Sequence, residues 1–242
     1  MQESNKMNDV IYEGKSKLVC RGDDDSSFII RYKDTATAGN GAKKEELLGK
    51  GKLNSEISNI IYTYLMENGI KTHLIRIIDD TSVLVKKAEI VMVEVIIRNI
   101  AAGSFSKKYG VPEGTELKNT IIEFSYKSDE LGDPLICESQ ITAIDIATKA
   151  ELDDMSSQSL KINELMSDLF AKCGIKLADF KLEFGRCDGE IILCDEISPD
   201  SCRFWDMETG EKLDKDRFRR DLGDVLGGYR EVLRRLKDVR QI

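Results

Sequence analysis

The stretch "KLADFKLEFGRCDGEIILCDEISPDSCRFWD", residues 176–206, alternates apolar and charged side chains and then turns back on itself. Strand side chains alternate with a period of two. That places Leu177, Asp179, Lys181 and Glu183 on one face and Ala178, Phe180, Leu182 and Phe184 on the other. Asp188-Gly189 is a two-residue hairpin signal, so residues 176–184 and 190–194 pair as a hairpin. Glu183 and Asp195 then lie at neighbouring strand ends. Two converging carboxylates suit Mg²⁺, which takes one or two of them together with phosphate oxygens. The alternative is a solvent-facing ladder of cross-strand ion pairs. Against an exposed ladder stands Phe204-Trp205, which follows Arg203 directly and holds the chain's single tryptophan.

Outward from this hairpin the chain mixes strands and helices, an α+β pattern. Residues 149–173 read as a helix ended by Gly174, and residues 214–236 as a last helix with Phe218, Leu222, Val225, Leu226, Tyr229, Val232, Leu233 and Leu236 on its apolar stripe. Upstream, "VEVIIRNIAAGSFSKKYG" is a β-branched run ending at Arg98, followed by a short helix opened by Ala-Ala-Gly-Ser. A helix N-terminus, the Ser104 hydroxyl and the Arg98 fork together suit a phosphomonoester. An Arg98–Glu94 pair on one strand face is the competing reading. The turn-rich loop "YKSDELGDPLICES" gathers Lys127, Asp129, Glu130, Asp133 and Glu138.

The first part of the chain is strand-rich. In "VIYEGKSKLVC", residues 10–20, Gly-Lys-Ser resembles a P-loop, but the glycine required five residues earlier is Asp9. A strand also follows where a P-loop would start a helix. What remains is a turn with Lys15 and Lys17 on one side, suited either to a polyphosphate or to guarding a sheet edge. "TATAGNGAKKEELLGKG" reads as a glycine-rich loop entering a helix, whose stripe is Leu53, Ile57, Ile60, Ile61, Tyr64 and Leu65. Strands follow over residues 71–78, 82–85 and 89–99.

Composition narrows the function classes. The 242 residues are 41% hydrophobic and 33% charged, ordinary for a globular enzyme. A net charge of -8 argues against a general nucleic-acid binder. Six cysteines form no C-x-x-C pair, and His73 is the single histidine. A structural zinc site and a disulfide scaffold are therefore not expected. His73 sits in a strand pattern and reads as structural. The N-terminal "MQESNKMND" is polar, and no apolar run approaches spanning length. These features point to a cytoplasmic protein with reduced thiols and no membrane partner.

Several of these motifs, in order and over nearly the whole chain, resemble the SAICAR synthetase family of purine biosynthesis: "YEGKSK", "KDTATAGNGAKKEELLGKGKLNSEIS", "VEVIIRNIAAGS", "YKSDELGDPL", "DFKLEFG", "DEISPDSCRFWD" and "LDKDRFRRDLG". Gly39 stands where many members carry an aromatic residue, and Gln140 where many carry histidine. The resemblance implies a two-lobed α+β fold: a strand-rich ATP lobe over residues 1–87, a mixed lobe over 88–242, and the active-site cleft between them. It implies ATP-dependent ligation of L-aspartate to CAIR, a ribosyl-imidazole 5′-phosphate carboxylate, with ATP and Mg²⁺ as cofactors. Carried over by position, Lys15 and Lys17 would contact ATP phosphates, the backbone at Lys86 to Ala88 would face adenine, and Glu183 and Asp195 would be the metal-side carboxylates. Arg98, Ser104 and Arg203 would hold the sugar phosphate, with catalytic Lys127, Asp179 and Lys181 at the reacting end. Arg219 and the "TAGNGAKK" loop are further candidates, for aspartate. A small-molecule kinase and a nucleotide-sensing module are the alternative activities, and a homodimer is left open.

Overall fold

The computed structural model describes residues 9–39 and 41–242. The reading of the polar N-terminal segment, up to residue 8, and that of Asn40 in the glycine-rich loop lie outside the described residues. The fold is α+β, as the sequence indicates.

The first sheet has five antiparallel strands in the order β1-β2-β3-β7-β6: β1 (Val10–Glu13), β2 (Lys17–Arg21), β3 (Ser27–Tyr32), β6 (Leu74–Ile77) and β7 (Ser82–Lys86). The β1–β2 turn closes with the Gly14 N–H donating to the Lys17 carbonyl at 2.8 Å. The glycine-rich segment is not the loop expected. It forms a hairpin, β4 (Thr35–Ala38) with β5 (Lys43–Glu46), in which Thr35 faces Glu46 and Ala38 faces Lys43. The left-handed glycines Gly39 and Gly41 let the chain reverse between the two strands. Helix α1 (Lys50–Glu67) follows and buries Ile57, Ile61 and Leu65.

The second sheet runs β10-β9-β8-β11-β12, with β13 also paired to β11. Its strands are β8 (Glu89–Ile100), β9 (Glu116–Tyr126), β10 (Leu135–Ile136), β11 (Ile175–Cys187), β12 (Glu190–Cys194) and β13 (Cys202–Asp206). Asp188 and Gly189 both have positive φ, 53° and 78°, as a two-residue hairpin turn requires. The short helices α2 (Gly103–Tyr109) and α3 (Glu138–Ala143) lie between strands, and α4 (Lys149–Lys172) is the long helix of this half. A Thr148–Glu151 capping box starts α4.

Met155, Ile162, Met166 and Phe170 of α4 share one core cluster with Val93, Val95 and Ile97 of β8 and Phe180, Leu182 and Phe184 of β11. The same cluster continues into Tyr32, Val83 and Val85 of the first sheet. The opposite face of the second sheet is therefore left for polar side chains. Strict alternation in β11 fails at one point. A register shift against β13 between Leu177 and Asp179 turns Leu177 into the main core and Ala178 toward Ile100, Ala102 and Trp205.

The C-terminal helix is also not continuous. It splits into α5 (Asp216–Arg219) and α6 (Val225–Arg240). Asp221, Gly223 and Asp224 between them have positive φ, and the Asp224 carboxylate caps α6 by accepting from the Gly227 N–H. His73 is buried just before β6, its ring 5.6 Å from Tyr62. Burial pulls its pKa down to about 4 against the charge of Asp195, so it is a neutral packing residue near pH 7. Among the described residues no helix is long and apolar enough to cross a membrane.

Candidate active site

Below the Leu177 shift, β11 alternates cleanly and turns Asp179, Lys181 and Glu183 to the polar face. Opposite them on β8 stand Arg98, Ile96 and Glu94. Arg203 of β13 faces Asp179 from the other side. The sheet register alone thus sets an arginine–carboxylate group at one end and a lysine–carboxylate group at the other. Four residues of strand separate them, roughly 13 Å.

At the arginine end, Asp179 accepts from Arg98 Nη1 at 2.9 Å and from Arg203 Nη1 at 2.8 Å. Arg98 also donates to Glu123 at 2.7 Å, and its Nη2 lies 3.5 Å from the Ser104 hydroxyl. The expected Arg98–Glu94 alternative is not what forms: Glu94 pairs with Lys181 at 2.7 Å. Four residues along a strand is two pleats, so Glu94 meets the strand next to it before it meets Arg98. Arg203 reaches Asp216 through Nε at 2.9 Å. Its guanidinium lies on the backbone of Gly103, where a Cβ would fall 2.3 Å from Nη2. Arg219 donates to Asp216 at 2.6 Å.

At the lysine end, Glu183 is shared by Lys181 at 2.6 Å and Lys127 at 3.0 Å. Burial works against the Lys181 ammonium, but the charges of Glu183, Asp195 and Glu94 outweigh it and hold its pKa well above the usual range. Lys127 is raised in the same way, burial being overcome by Glu183. Lys17 crosses from the first sheet to bond Asp195 and to lie 3.1 Å from Glu196. Its ammonium is buried, so it does not serve as a solvated edge guard. Burial tends to raise the Asp195 carboxyl, yet the charges of Lys17 and Lys181 hold it well below the usual range. Lys15 also reaches across, to exposed Asp129 at 2.6 Å.

Near the junction of the two sheets, the Lys86 and Lys87 N–H groups donate to the His73 and Ser26 carbonyls. Ala88 packs on Gly185, where a Cβ would lie 2.8 Å from its methyl. Two open grooves of about 500 Å³ lie elsewhere, one beside Lys71, Glu151 and Glu190, the other beside Lys43, Phe218 and Leu226. Among the described residues no three His, Cys, Asp or Glu side chains converge as a metal site. Glu183 and Asp195 stand at adjoining strand ends, and such a pair would hold a Mg²⁺ only together with phosphate oxygens.

A family model described as SAICAR synthetase matches residues 10–236. The chain belongs to the SAICAR synthetase family. The phosphoribosylaminoimidazole-succinocarboxamide synthase of Finegoldia magna is 54% identical over 228 residues, covering 94% of this chain and 98% of that protein. The crystal structure of the same-named enzyme from Ehrlichia chaffeensis matches with a TM-score of 0.92 at 46% identity, covering 94% of this chain and 98% of that one. A SAICAR synthetase in complex with ADP matches with a TM-score of 0.91 at 45% identity, covering 94% and 97%. In this member of the SAICAR synthetase family, Lys17, Arg98, Ser104, Lys127, Asp179, Lys181, Glu183, Asp195, Arg203 and Arg219 gather into the two clusters described, whereas Lys15, Lys86 and Ala88 stand apart from them. Glu123, Glu196 and Asp216 belong to them too, and sequence reasoning did not single them out. Glu123 carried a usable signal, since on β9 it takes the face opposite buried Phe124. Glu196 lies in a loop where no periodicity applies, and Asp216 lies in the expected last helix but off its apolar stripe.

Proposed function

We propose that this chain joins the carboxylate of CAIR to the amine of L-aspartate with conversion of ATP to ADP and phosphate, the ligase reaction of its family, in purine biosynthesis. The observation that carries this reading is the single face of β11. It links an arginine group suited to a phosphomonoester with a lysine–carboxylate group suited to a nucleotide triphosphate. Residues 1–87 act as the ATP lobe and 88–242 as the CAIR lobe; the change of sheet between Lys86 and Glu89 supports that division. Exposed Ile90 and Met92 beside Ala88 suit a purine ring. All six cysteines are free thiols, which suits the reducing cytoplasm.

A carboxylate is a poor electrophile and needs activation. A CAIR carboxylate oxygen attacks the γ-phosphorus of ATP, the bond to the bridging oxygen breaks, and ADP leaves. The aspartate amine then attacks the acyl carbon. A C–N bond forms, the C–O bond breaks, and phosphate departs with that oxygen and the proton lost by nitrogen. Phosphoryl transfer of this kind depends on alignment and charge neutralisation more than on acid–base groups, which suits a site whose nearby histidine is buried and neutral. Lys15, Lys17, Lys127 and Lys181 neutralise the phosphates and the reacting carboxylate, while Arg98, Ser104 and Arg203 hold the sugar phosphate in line. Mg²⁺ held by Glu183 and Asp195 would screen the same phosphate charge.

CAIR labelled with ¹⁸O in its carboxylate is expected to pass one labelled oxygen to inorganic phosphate per turnover. Unlabelled phosphate formed alongside amide product rules out the acyl phosphate. A kinase acting on a hydroxyl would leave the label in place. Arg98→Lys is expected to raise the KM for CAIR about 10-fold or more and to leave that for ATP nearly unchanged, because a point charge cannot replace the fork. Equal losses for both substrates would remove Arg98 from the sugar-phosphate site.

A further inference from the structure

Asp216 stands behind the arginine group rather than in it. Its side chain is almost wholly buried, accepts from Arg203 Nε at 2.9 Å and Arg219 Nη1 at 2.6 Å, and forms an ion pair with Arg220 Nη2 at 3.1 Å. Each carboxylate oxygen therefore accepts one guanidinium N–H, Oδ2 from Arg203 and Oδ1 from Arg219. The backbone under Asp216 is also fixed. Buried Asp214 accepts from the Asp216 N–H at 2.7 Å and from the Phe204 N–H of β13 at 2.8 Å. The start of α5 is thereby clamped to the strand that carries Arg203.

The donors of Arg203 can be accounted for one by one. Nε is taken by Asp216 and Nη1 by Asp179. Nη2 lies over Gly103 at the start of α2, beside Ser104. The two anchors leave Nη2 as the end of the fork, against the Gly103 backbone next to Ser104 in the chain. Without Asp216, Arg203 keeps only its Asp179 anchor, and the Nε side of the guanidinium loses its buried carboxylate.

We infer that Asp216 is a positioning residue for the sugar-phosphate pocket, fixing Arg203 so that its outer N–H groups meet the ligand. The inference rests on the reading of Arg98, Ser104 and Arg203 given above. Burial disfavours the Asp216 carboxylate, but the charge of Arg203 and its bonds to Arg203 and Arg219 bring its pKa to about 2, so it stays ionised through the working range.

Charge and geometry predict opposite signs, which makes the test decisive. Asp216→Asn makes the pocket more positive. If Asp216 merely tempers charge, the KM for CAIR falls. If it positions Arg203, the KM for CAIR rises, by about 10- to 100-fold for the loss of a charge-assisted anchor, while the KM for ATP stays within about 2-fold. Asp216→Glu keeps the charge and moves it by one methylene. It is expected to raise the KM for CAIR by about 5-fold, and it decides the matter alone if Asp216→Asn does not fold. An unchanged or lowered CAIR KM in the folded variant, or an equal rise for ATP, overturns the inference. Arg98→Lys measured in parallel separates the two levels. If it too spares CAIR, the pocket assignment fails; if it raises the CAIR KM while Asp216 variants do not, only the positioning role fails.

Discussion

Glu183→Gln and Asp195→Asn are each expected to lower kcat by about 10³-fold, the scale of losing one electrostatic contact to a transferring group. Each amide keeps the volume and removes the charge. The two carboxylates stand at adjoining strand ends, Glu183 opposite Cys194 and Asp195 next in the chain. Both charges act on Lys181. In the free enzyme they neutralise Lys127, Lys181 and Lys17. On the proposed reading they exchange these lysines for a metal, and the lysines turn to phosphate. Either amide then weakens one shared function, so the double variant should be little worse than the single ones. The concentration of Mg²⁺ needed for half-maximal rate should rise in both, with the KM for CAIR changing less. Steady-state rates across a Mg²⁺ titration check this. Losses that multiply, or an unaltered Mg²⁺ dependence, would assign the two acids to separate tasks.

Much of the site was legible because it lies on strands. A period of two fixed which side chains of β11 share a face from Asp179 to Glu183, and Asp188-Gly189 fixed where the hairpin turns. The one-residue shift at Ala178 was not legible. A bulge depends on the partner strand β13, which carries no local mark of it. The hairpin from Thr35 to Glu46 was hidden for a related reason. "TATA" and "KKEE" lack apolar alternation because both strands are short and β5 is largely exposed. The split of the last helix was written in "RRDLGD", yet a continuous apolar stripe through Leu222 and Val225 masked it. Leu222 proves half-exposed and lies between the helices.

Partners across the chain were the least legible. Lys17 meets Asp195 178 residues away, and Arg98 meets Asp179 81 residues away. A strand pattern says which way each side chain points and nothing about which sheet it faces. The pairing of Arg98 went to Glu123 and Asp179 because adjacent strands bring residues closer than two pleats of one strand. Family resemblance supplied the grouping that periodicity could not. It did not supply Asp216 or the carboxylate chain around it.

Asp200→Asn is expected to destabilise the fold by about 3–5 kcal/mol, the usual loss when one partner of a buried ion pair is removed. Lys50 opens α1 with its side chain 1% exposed, and its ammonium lies 2.8 Å from Asp200 Oδ2, off the line of a good hydrogen bond. Lys215 approaches the same oxygen at 3.6 Å, and the Tyr229 hydroxyl donates to Oδ1 at 2.6 Å. Asparagine retains the shape and the tyrosine bond but takes away the carboxylate that sits between the two lysines. For a chain of this size the loss corresponds to a fall in Tm of about 6–20 °C. Lys50→Met in the same background removes the stranded cation and should recover a good part of it. The pH dependence identifies the group. Burial tends to raise the Asp200 carboxyl, but Lys215 and Lys50 hold it far below the ordinary value. A depressed folded pKa adds stability that is fully present above the unfolded value of about 4 and is lost as pH falls below it. The gap in Tm between the parent chain and Asp200→Asn should therefore stay level from pH 7 to about pH 5 and narrow below about pH 4. A gap that persists unchanged at pH 3 would place the destabilisation in packing around Tyr229 rather than in the missing charge.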